Sequence, residues 1–291
     1  MTTSAETLRA LLAQDRCHIM PCCYDGLTAR LVEQAGFPLT FMSGFAVSAA
    51  RLGLPDTGLI SYGEMLDQGM SICSAVSIPV IGDGDTGYGN AMNVRRTVEG
   101  YARAGFSAVM IEDQVSPKRC GHTKGKSVVP REEACERIQA AVDARNSGSD
   151  ILILARTDAG ATHGLGEAID RAKAFSDLGA DILFVEAPRS VEEMEKITRQ
   201  VPGIHMANII EGGKTSVLSP EDLHDIGFRI AAYPLALISA AMQAITDALK
   251  ELKNGTYPTR IMDFASVRKQ VGFEDYYDME KRYAASGREN G

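Results

Sequence analysis

The sequence lacks a surplus of positive charge and lacks long apolar segments. It holds 30 lysines and arginines against 38 aspartates and glutamates, a net charge of −8 at pH 7. A general nucleic-acid binder needs a basic face to neutralise phosphates, so this balance argues against that class. The longest apolar stretch, 230–242, is interrupted by Pro234 and falls well short of the ~20 residues of a membrane helix. We therefore expect neither nucleic acid nor a membrane as a partner.

The chain also lacks the features of a secreted or disulfide-stapled protein. The first residues contain no apolar core flanked by positive charge, and Leu8, Leu11 and Leu12 predict a short helix there instead. The six cysteines have neither zinc-site nor CxxC spacing, so we expect thiols and a cytoplasmic protein. With 45% hydrophobic and 23% charged residues, the composition is that of a folded chain.

Eight short apolar runs recur along the chain, each followed by a turn and a helical pattern. The runs are His18–Pro21, Leu39–Met42, Pro79–Gly82, Ala108–Ile111, Ile151–Ala155, Asp181–Val185, Ile204–Ala207 and Phe228–Ala232. Apolar strands that alternate with helices indicate a parallel sheet covered on both faces. Eight units predict an α/β fold, the (β/α)₈ TIM barrel. The alternative, an open doubly wound sheet, seldom needs eight consecutive units.

Helix starts and domain organisation follow from local signals. Ser61-x-x-Glu64 and Ser190-x-x-Glu193 predict capping boxes, and Ser219-Pro220 predicts an N-cap. No linker or composition shift divides the chain, so we expect one barrel domain over 1–291, with 239–291 as a helical extension. The apolar positions of this extension have no obvious place on a completed barrel, which favours a contact or helix exchange between subunits.

Acidic residues follow several strands, at the end of the barrel where chemistry is found. Asp83 and Asp85 follow the third strand and Glu112 follows the fourth. Carboxylates packed closely repel one another, and a hard cation such as Mg²⁺ or Mn²⁺ relieves this repulsion. Each acid alone would be interpreted as a solvated loop residue. Three on consecutive strand ends predict a metal site.

The segment GDGDTG, 82–87, offers a different interpretation because it satisfies the dinucleotide-binding pattern G-x-G-x-x-G. Its two aspartates would face a pyrophosphate with the wrong sign of charge, and it follows the third strand instead of opening a first βαβ unit. We therefore favour glycines that let the backbone turn closely around a metal-bound ligand.

Two further features carry positive charge to the same end of the barrel. Arg156 directly follows the fifth strand and either forks onto a ligand carboxylate or pairs with a neighbouring acid. The loop Ser116–Pro130 places Cys120 among cationic neighbours that lower a thiol pKa: Lys118, Arg119, His122, Lys124 and Lys126. Such a loop can close over an anionic ligand. The alternative is a solvated basic loop with an incidental cysteine.

The motifs together resemble the isocitrate lyase and phosphoenolpyruvate mutase superfamily over nearly the whole chain. The matching segments include YDGLTARL, GDGDTGYG, KRCGH, ARTDA and FVEAP. Within it, EDQVSPKRCGH, MANIIEGGKT and AYPLALI are most similar to the 2,3-dimethylmalate lyase and petal death protein branch. This resemblance implies a barrel whose last helix is exchanged between subunits of a homodimer or homotetramer.

The resemblance also implies roles for individual residues. Asp83, Asp85 and Glu112 would hold Mg²⁺ largely through water, with Asp56 on a gating loop. The substrate would contact Ser43, Gly44, Phe45 and Arg156, with Glu186 and Asn208 lining the pocket of the second product. Catalytic groups would come from the loop residues Lys118, Arg119, Cys120 and His122, and the substrate would also contact Tyr24, Gly121 and Pro234.

The implied reaction is cleavage of a carbon–carbon bond in a 2-hydroxy dicarboxylate. Chelation of the hydroxyl and its neighbouring carboxylate favours an alkoxide, whose collapse releases an α-keto acid. The other fragment leaves as a carboxylate enolate, and the Cys120 thiol would protonate its carbon. Tyr24 and a metal-bound water are the candidates for the base that removes the hydroxyl proton.

Departures from related patterns indicate the substrate. Ile209, Ile210 and Pro234 stand where lyases that release succinate carry hydroxyl residues. These side chains leave a buried carboxylate without hydrogen bonds, so a pocket for an alkyl group is expected. We expect a 2-alkylmalate such as 2,3-dimethylmalate, cleaved to pyruvate and propionate. Methylisocitrate lyase is the main alternative; oxaloacetate hydrolase or decarboxylase, and a phosphonate mutase similar to carboxyvinyl-carboxyphosphonate phosphorylmutase, fit less well.

Overall fold

The computed structural model describes residues 2–119, 125–210, 212–213 and 215–284. It divides into two compact units, 1–238 and 239–291. Within the described part of the chain, no helix is both long and apolar enough to cross a membrane. The organisation as one domain with an extension stays a prediction.

The first unit is a closed barrel of eight parallel strands in sequence order, with β1 paired to β8. This confirms the predicted fold class, and each predicted run coincides with a strand to within two residues at either end. The strands are β1 (His18–Cys23), β2 (Thr40–Met42), β3 (Val80–Asp83), β4 (Ala108–Glu112), β5 (Leu152–Thr157), β6 (Ile182–Val185), β7 (Ile204–Asn208) and β8 (Phe228–Tyr233).

Helices connect the strands, and a π-helical turn spans Ser48–Leu52. They are α1 (Ser4–Leu12), α2 (Gly26–Gln34), α3 (Gly44–Val47), α4 (Tyr62–Ala75), α5 (Ala91–Ala104), α6 (Arg131–Asn146), α7 (Ala159–Thr162), α8 (Leu165–Asp177), α9 (Val191–Gln200), α10 (Pro220–Asp225), α11 (Ala236–Lys253), α12 (Phe264–Val271) and α13 (Phe273–Ala284). The helix predicted from the leucine spacing near the amino terminus is α1.

The predicted helix starts hold with one correction. Ser61 and Glu64 form a full capping box, and Ser219 caps α10 with Pro220 at its first position. Ser190 accepts a hydrogen bond from the Glu193 amide, but the Glu193 carboxylate accepts from the amide of Arg189 instead. Only half of the second predicted box forms, because the carboxylate reaches one residue too far back.

Alternate strand residues pack into different cores, as expected from the two-residue period of a strand. One cluster fills the barrel interior, with Met110, Leu154 and Phe184 among its members. A second lies between the strands and the surrounding helices. Leu8 and Leu12 of α1 belong to the interior cluster, so α1 closes the amino-terminal end of the barrel.

The second unit contains most of α11 together with α12 and α13. Its large apolar side chains are exposed in the isolated chain, among them Leu249, Phe264, Tyr276 and Tyr283. Apolar surface on this scale is unusual for a monomeric protein.

Candidate active site

The carboxyl ends of the strands surround a cavity inside the barrel mouth. The register sets Glu112 of β4 directly beside Arg156 of β5. The cavity therefore combines a charged part with an apolar part. It is lined by Phe41, Ser43, Phe45, Asp56, Asp83, Met110, Lys118, Arg119, Arg156, Phe184, Glu186, Met206, Asn208, Ile210, Ala232, Pro234 and Leu235.

Backbone amides fix the carboxylate of Asp83 at the end of β3. Its Oδ2 accepts a hydrogen bond from the Gly44 amide at 3.2 Å, and its Oδ1 accepts from the Asp85 amide at 3.0 Å. A Cβ on residue 44 would lie only 2.4 Å from Asp83 Oδ2, so this approach requires glycine. Asp85 adopts a left-handed backbone, φ +49°, and its carbonyl accepts from the Glu112 amide at 2.9 Å.

Lys118 lies among these acids. Its Nζ donates to Asp56 Oδ2 at 2.6 Å and lies 2.9 Å from Asp85 Oδ1, and all three side chains are buried. Lys118 is therefore an internal counter-ion. The alternative interpretation, a solvated basic loop, does not hold at this position. The ion pair of Lys118 with Asp56 joins the loop after β4 to the loop after β2.

Burial and mutual repulsion disfavour charge on the acids of the cluster. Burial, with added repulsion from Asp83 and Asp56, raises the pKa of Asp85, although Lys118 partly offsets the effect. Burial likewise raises the pKa of Glu112, against the opposing charges of Arg156 and Lys118. Burial alone would lower the pKa of Lys118, but the surrounding carboxylates raise it well above its ordinary value. The cluster is thus short of positive charge.

The donor set fits a hard divalent cation. Asp56 Oδ1 and Glu112 Oε1 are buried carboxylate oxygens that accept no hydrogen bond from the described residues. In this part of the chain, no group of three or more His, Cys, Asp or Glu side chains converges to bind a metal directly. Buried carboxylate oxygens without hydrogen-bond donors suit Mg²⁺, which prefers oxygen ligands and commonly keeps several waters.

Arg156 is paired with acids of the protein. Its Nε donates to Asp158 Oδ2 at 2.8 Å and its Nη2 donates to Asp158 Oδ1 at 3.1 Å. The guanidinium also lies 3.4 Å from Glu112 and 3.3 Å from Glu186. The sequence left open whether Arg156 binds a ligand carboxylate or pairs with a neighbouring acid, and the structure contains the pair with neighbouring acids. Because Arg156 also lines the cavity, a ligand carboxylate can still reach it.

Asp158 is fully buried, and its environment keeps it charged. Burial would raise the pKa of its carboxyl, but the charges of Arg156 and Lys126 lower the pKa below its ordinary value. Lys126 donates to Asp158 Oδ1 at 2.7 Å, and its side chain is only 3% exposed. The sequence placed Lys126 only as one of several loop cations.

The loop after β4 is tied down on both sides of the residues that the structure leaves undescribed. The Gln114 side chain is buried and bonds the Arg119 backbone twice, accepting from its amide at 3.0 Å and donating to its carbonyl at 2.8 Å. Val115 donates to the carbonyl of Ser127 at 2.9 Å. Cys120 and His122, which are predicted as catalytic, and Gly121, which is predicted to contact the substrate, lie outside the described residues.

Most predicted site residues meet at this cavity. Gly44, Asp85 and Glu112 do not line it but contact residues that do. Tyr24, a candidate base, lines no part of it; burial raises its pKa.

Of the two isoleucines, Ile210 lines the cavity while Ile209 packs into the cluster around β7, β8 and α10. Sequence reasoning missed the apolar lining of Phe41, Met110, Phe184, Met206 and Ala232, for which strand alternation was the available signal. It also missed Leu235, which lies just after β8.

Comparison with known proteins gives a consistent set of relatives. Residues 8–253 match the family described as phosphoenolpyruvate phosphomutase. The chain is 41% identical to 2,3-dimethylmalate lyase of Eubacterium barkeri, covering 98% of this chain and 99% of the relative. It is 42% identical to chloroplastic carboxyvinyl-carboxyphosphonate phosphorylmutase of Arabidopsis thaliana, covering 91% and 80%. It is 38% identical to 2-methylisocitrate lyase of Aeropyrum pernix, covering 97% and 90%.

Solved structures agree with these relatives. Oxaloacetate acetylhydrolase in complex with 3,3-difluorooxalacetate superposes with a TM-score of 0.92 at 35% identity, covering 99% of both chains. A crystal structure of 2,3-dimethylmalate lyase also gives 0.92, at 37% identity, covering 99% and 97%. Phosphonopyruvate hydrolase, in complex with oxalate and Mg²⁺, gives 0.85 at 29% identity, covering 97% and 99%.

Proposed function

Because the chain belongs to the phosphoenolpyruvate phosphomutase family, we propose that it is a divalent-metal-dependent lyase that breaks a carbon–carbon bond in a 2-hydroxy dicarboxylate. The preferred substrate is a 2-alkylmalate such as 2,3-dimethylmalate, cleaved to pyruvate and propionate. The full-length similarity to a 2,3-dimethylmalate lyase supports the reaction class.

The observation that carries the substrate choice is the apolar part of the cavity. Ile210, Pro234 and Leu235 line it together with Met206 and Ala232. A carboxylate buried against these side chains would lose its hydration without gaining hydrogen bonds, whereas an alkyl group gains from leaving water. The charged part, around Arg156 and Ser43, suits the α-oxyacid head.

The chain's own residues would divide the work as follows. Asp83, Asp85 and Glu112 would hold Mg²⁺ largely through water, and Asp56 would fix Lys118 beside them. The metal, when bound, supplies polarisation of the substrate hydroxyl and its neighbouring carboxylate. Arg156, with Ser43 and the Gly44–Phe45 turn, would orient the α-oxyacid head, and Glu186 and Asn208 would line the pocket of the departing fragment.

Cationic groups are needed where the second fragment leaves, because it carries both a carboxylate and a developing enolate charge. Lys118 and Arg119 line the cavity and would supply this charge. When the alkoxide collapses, the electron pair of the broken bond passes to the enolate, and Cys120 would return a proton to that carbon. The roles of Cys120, Gly121 and His122 rest on the sequence motif alone.

A purified-protein assay tests the proposal. Dimethylmalate, methylisocitrate, isocitrate, oxaloacetate and phosphonopyruvate are each supplied with Mg²⁺ and with EDTA. We expect the highest kcat/KM for dimethylmalate and none in EDTA. If none of the hydroxy acids is cleaved, the lyase assignment is refuted. If only methylisocitrate is cleaved, the argument from the apolar pocket is refuted.

A variant pair sharpens the substrate test. Ile210→Ser removes apolar surface from the cavity and should lower kcat/KM for dimethylmalate about 10- to 200-fold, the range for lost hydrophobic contacts in a specificity pocket. Val217→Ser is the matched control, because Val217 is 65% exposed. Equal effects of the two substitutions would remove Ile210 from the proposed pocket.

We further propose that the second unit mediates assembly into a homodimer or homotetramer, by exchange of helices between subunits. The exposed apolar side chains of α11 to α13 support this assembly.

A further inference from the structure

Asp158 is shared between two cations from different parts of the barrel mouth. Arg156 binds it in a bidentate manner, and Lys126 donates to its Oδ1 at 2.7 Å. Its side chain is completely buried, and that of Lys126 is 3% exposed. A buried ion pair of this kind is costly to break, so its presence calls for a specific role.

The backbone of Asp158 is fixed independently of Lys126. Asp113 Oδ1 accepts from the Asp158 amide at 2.9 Å, and Asp113 Oδ2 accepts from the Thr157 hydroxyl at 2.6 Å. Arg171 Nη1 also donates to Asp113 Oδ2, at 3.1 Å. Lys126 is therefore not needed to hold Asp158 in place.

The charge balance around Arg156 gives the buried pair of Lys126 and Asp158 a role. The guanidinium faces three carboxylates, those of Asp158, Glu112 and Glu186. With Asp158 unmatched, these acids would offset the positive charge of Arg156 and repel an anionic ligand in the cavity. A second cation on Asp158 removes part of this repulsion.

We propose that Lys126 is a positioning residue that neutralises Asp158 and so leaves the charge of Arg156 available to the anionic head of the substrate. This inference rests on the proposed function in one respect, that Arg156 faces that head. Lys126 itself does not line the cavity, so it acts through Asp158 and Arg156.

The test measures binding, not turnover. Oxalate, a small dianion with adjacent carboxylates, is titrated into the protein with Mg²⁺ in a calorimeter. In Lys126→Met the Kd for oxalate should rise about tenfold or more, because Asp158, left without its second cation, then offsets more of the charge of Arg156. Lys126→Arg keeps the charge and should stay within about threefold of the unaltered protein. Lys196→Met, at an exposed lysine, is the control and should change nothing.

A second background separates this role from a merely structural one. In Asp158→Asn the carboxylate that Lys126 neutralises, and that holds its ammonium near Arg156, is gone, so adding Lys126→Met should change the Kd by less than about threefold. Damage to the fold would act equally in both backgrounds and would lower the Tm. Equal losses in the two backgrounds, a Kd for Lys126→Met within twofold of the unaltered protein, or no oxalate binding to the unaltered protein would each overturn the inference.

Failure of the proposed function gives a different result. If the unaltered protein binds oxalate but cleaves none of the hydroxy acids, the lyase proposal is refuted. The Kd values of the unaltered protein, Lys126→Met, Asp158→Asn and the double variant still decide the role of Lys126.

Discussion

Removing the ammonium of Lys118 should destabilise the barrel mouth when no divalent metal is present. Lys118→Met keeps the length of the side chain but removes the charge that lies 2.6 Å from Asp56 and 2.9 Å from Asp85. Both acids are buried and near Asp83, so the substitution leaves carboxylates packed together without their counter-ion. They must then repel one another or take up protons.

The magnitude follows from the burial of the pair. Removing one partner of a buried ion pair costs about 3–5 kcal/mol, because the other charge stays buried and unmatched. For a domain somewhat smaller than this one, each kcal/mol lowers the Tm by about 2–4 °C. We therefore expect a Tm lower by roughly 6–20 °C in EDTA, measured by differential scanning calorimetry.

Added Mg²⁺ should return much of the lost Tm, because a cation bound to the folded state stabilises it. Lys118→Arg keeps the charge and should lose less, and the exposed Lys196→Met should match the unaltered protein. A fall in Tm of less than about 2 °C for Lys118→Met in EDTA would refute the view that Lys118 neutralises this cluster.

Three further predictions follow from the same geometry. Gly44→Ala places a Cβ 2.4 Å from Asp83 Oδ2 and should abolish most turnover, by about 100-fold or more, with an unchanged circular dichroism spectrum; full activity would contradict the close approach. Gln114→Leu removes two hydrogen bonds to the Arg119 backbone and should lower kcat about 5- to 30-fold, whereas Gln139→Leu on an exposed helix surface should not. Light scattering should give a particle of two or four times 31.3 kDa, and a monomer at micromolar concentration would contradict assembly through 239–291.

The sequence predicted the barrel well because its signals are local. Each strand is a short apolar run bounded by turn residues, so eight units and the acids that follow them could be located by inspection. The carboxyl ends of parallel strands meet at one end of a barrel, which brought Asp83 and Glu112 together without further information.

Contacts between distant side chains could not be predicted in the same way. The ion pair of Lys126 with Asp158 and the two hydrogen bonds from the Gln114 side chain to the Arg119 backbone depend on the path of a loop. No periodic pattern in the sequence encodes that path.

Alternation along β7 does separate the two isoleucines, because the register shift beside His205 and Met206 skips a residue of β8 and leaves the alternation of β7 unbroken. Ile204 and Met206 pack with the barrel interior, and Met206, Asn208 and Ile210 line the cavity, so the parity counted from the start of β7 assigns Ile210 and not Ile209 to the cavity.

The closure of the barrel by α1 has a kinetic consequence. Leu8 and Leu12 pack into the same interior cluster as Met110 and Phe184, so side chains fill the passage from the amino-terminal end up to the cavity. Substrate and both cleavage products then share one entrance. For the proposed reaction this makes release sequential, and the fragment bound deeper cannot depart until the outer one has gone. The deeper fragment, which leaves last, would then inhibit competitively with the substrate. Initial-rate measurements with added product can show this pattern.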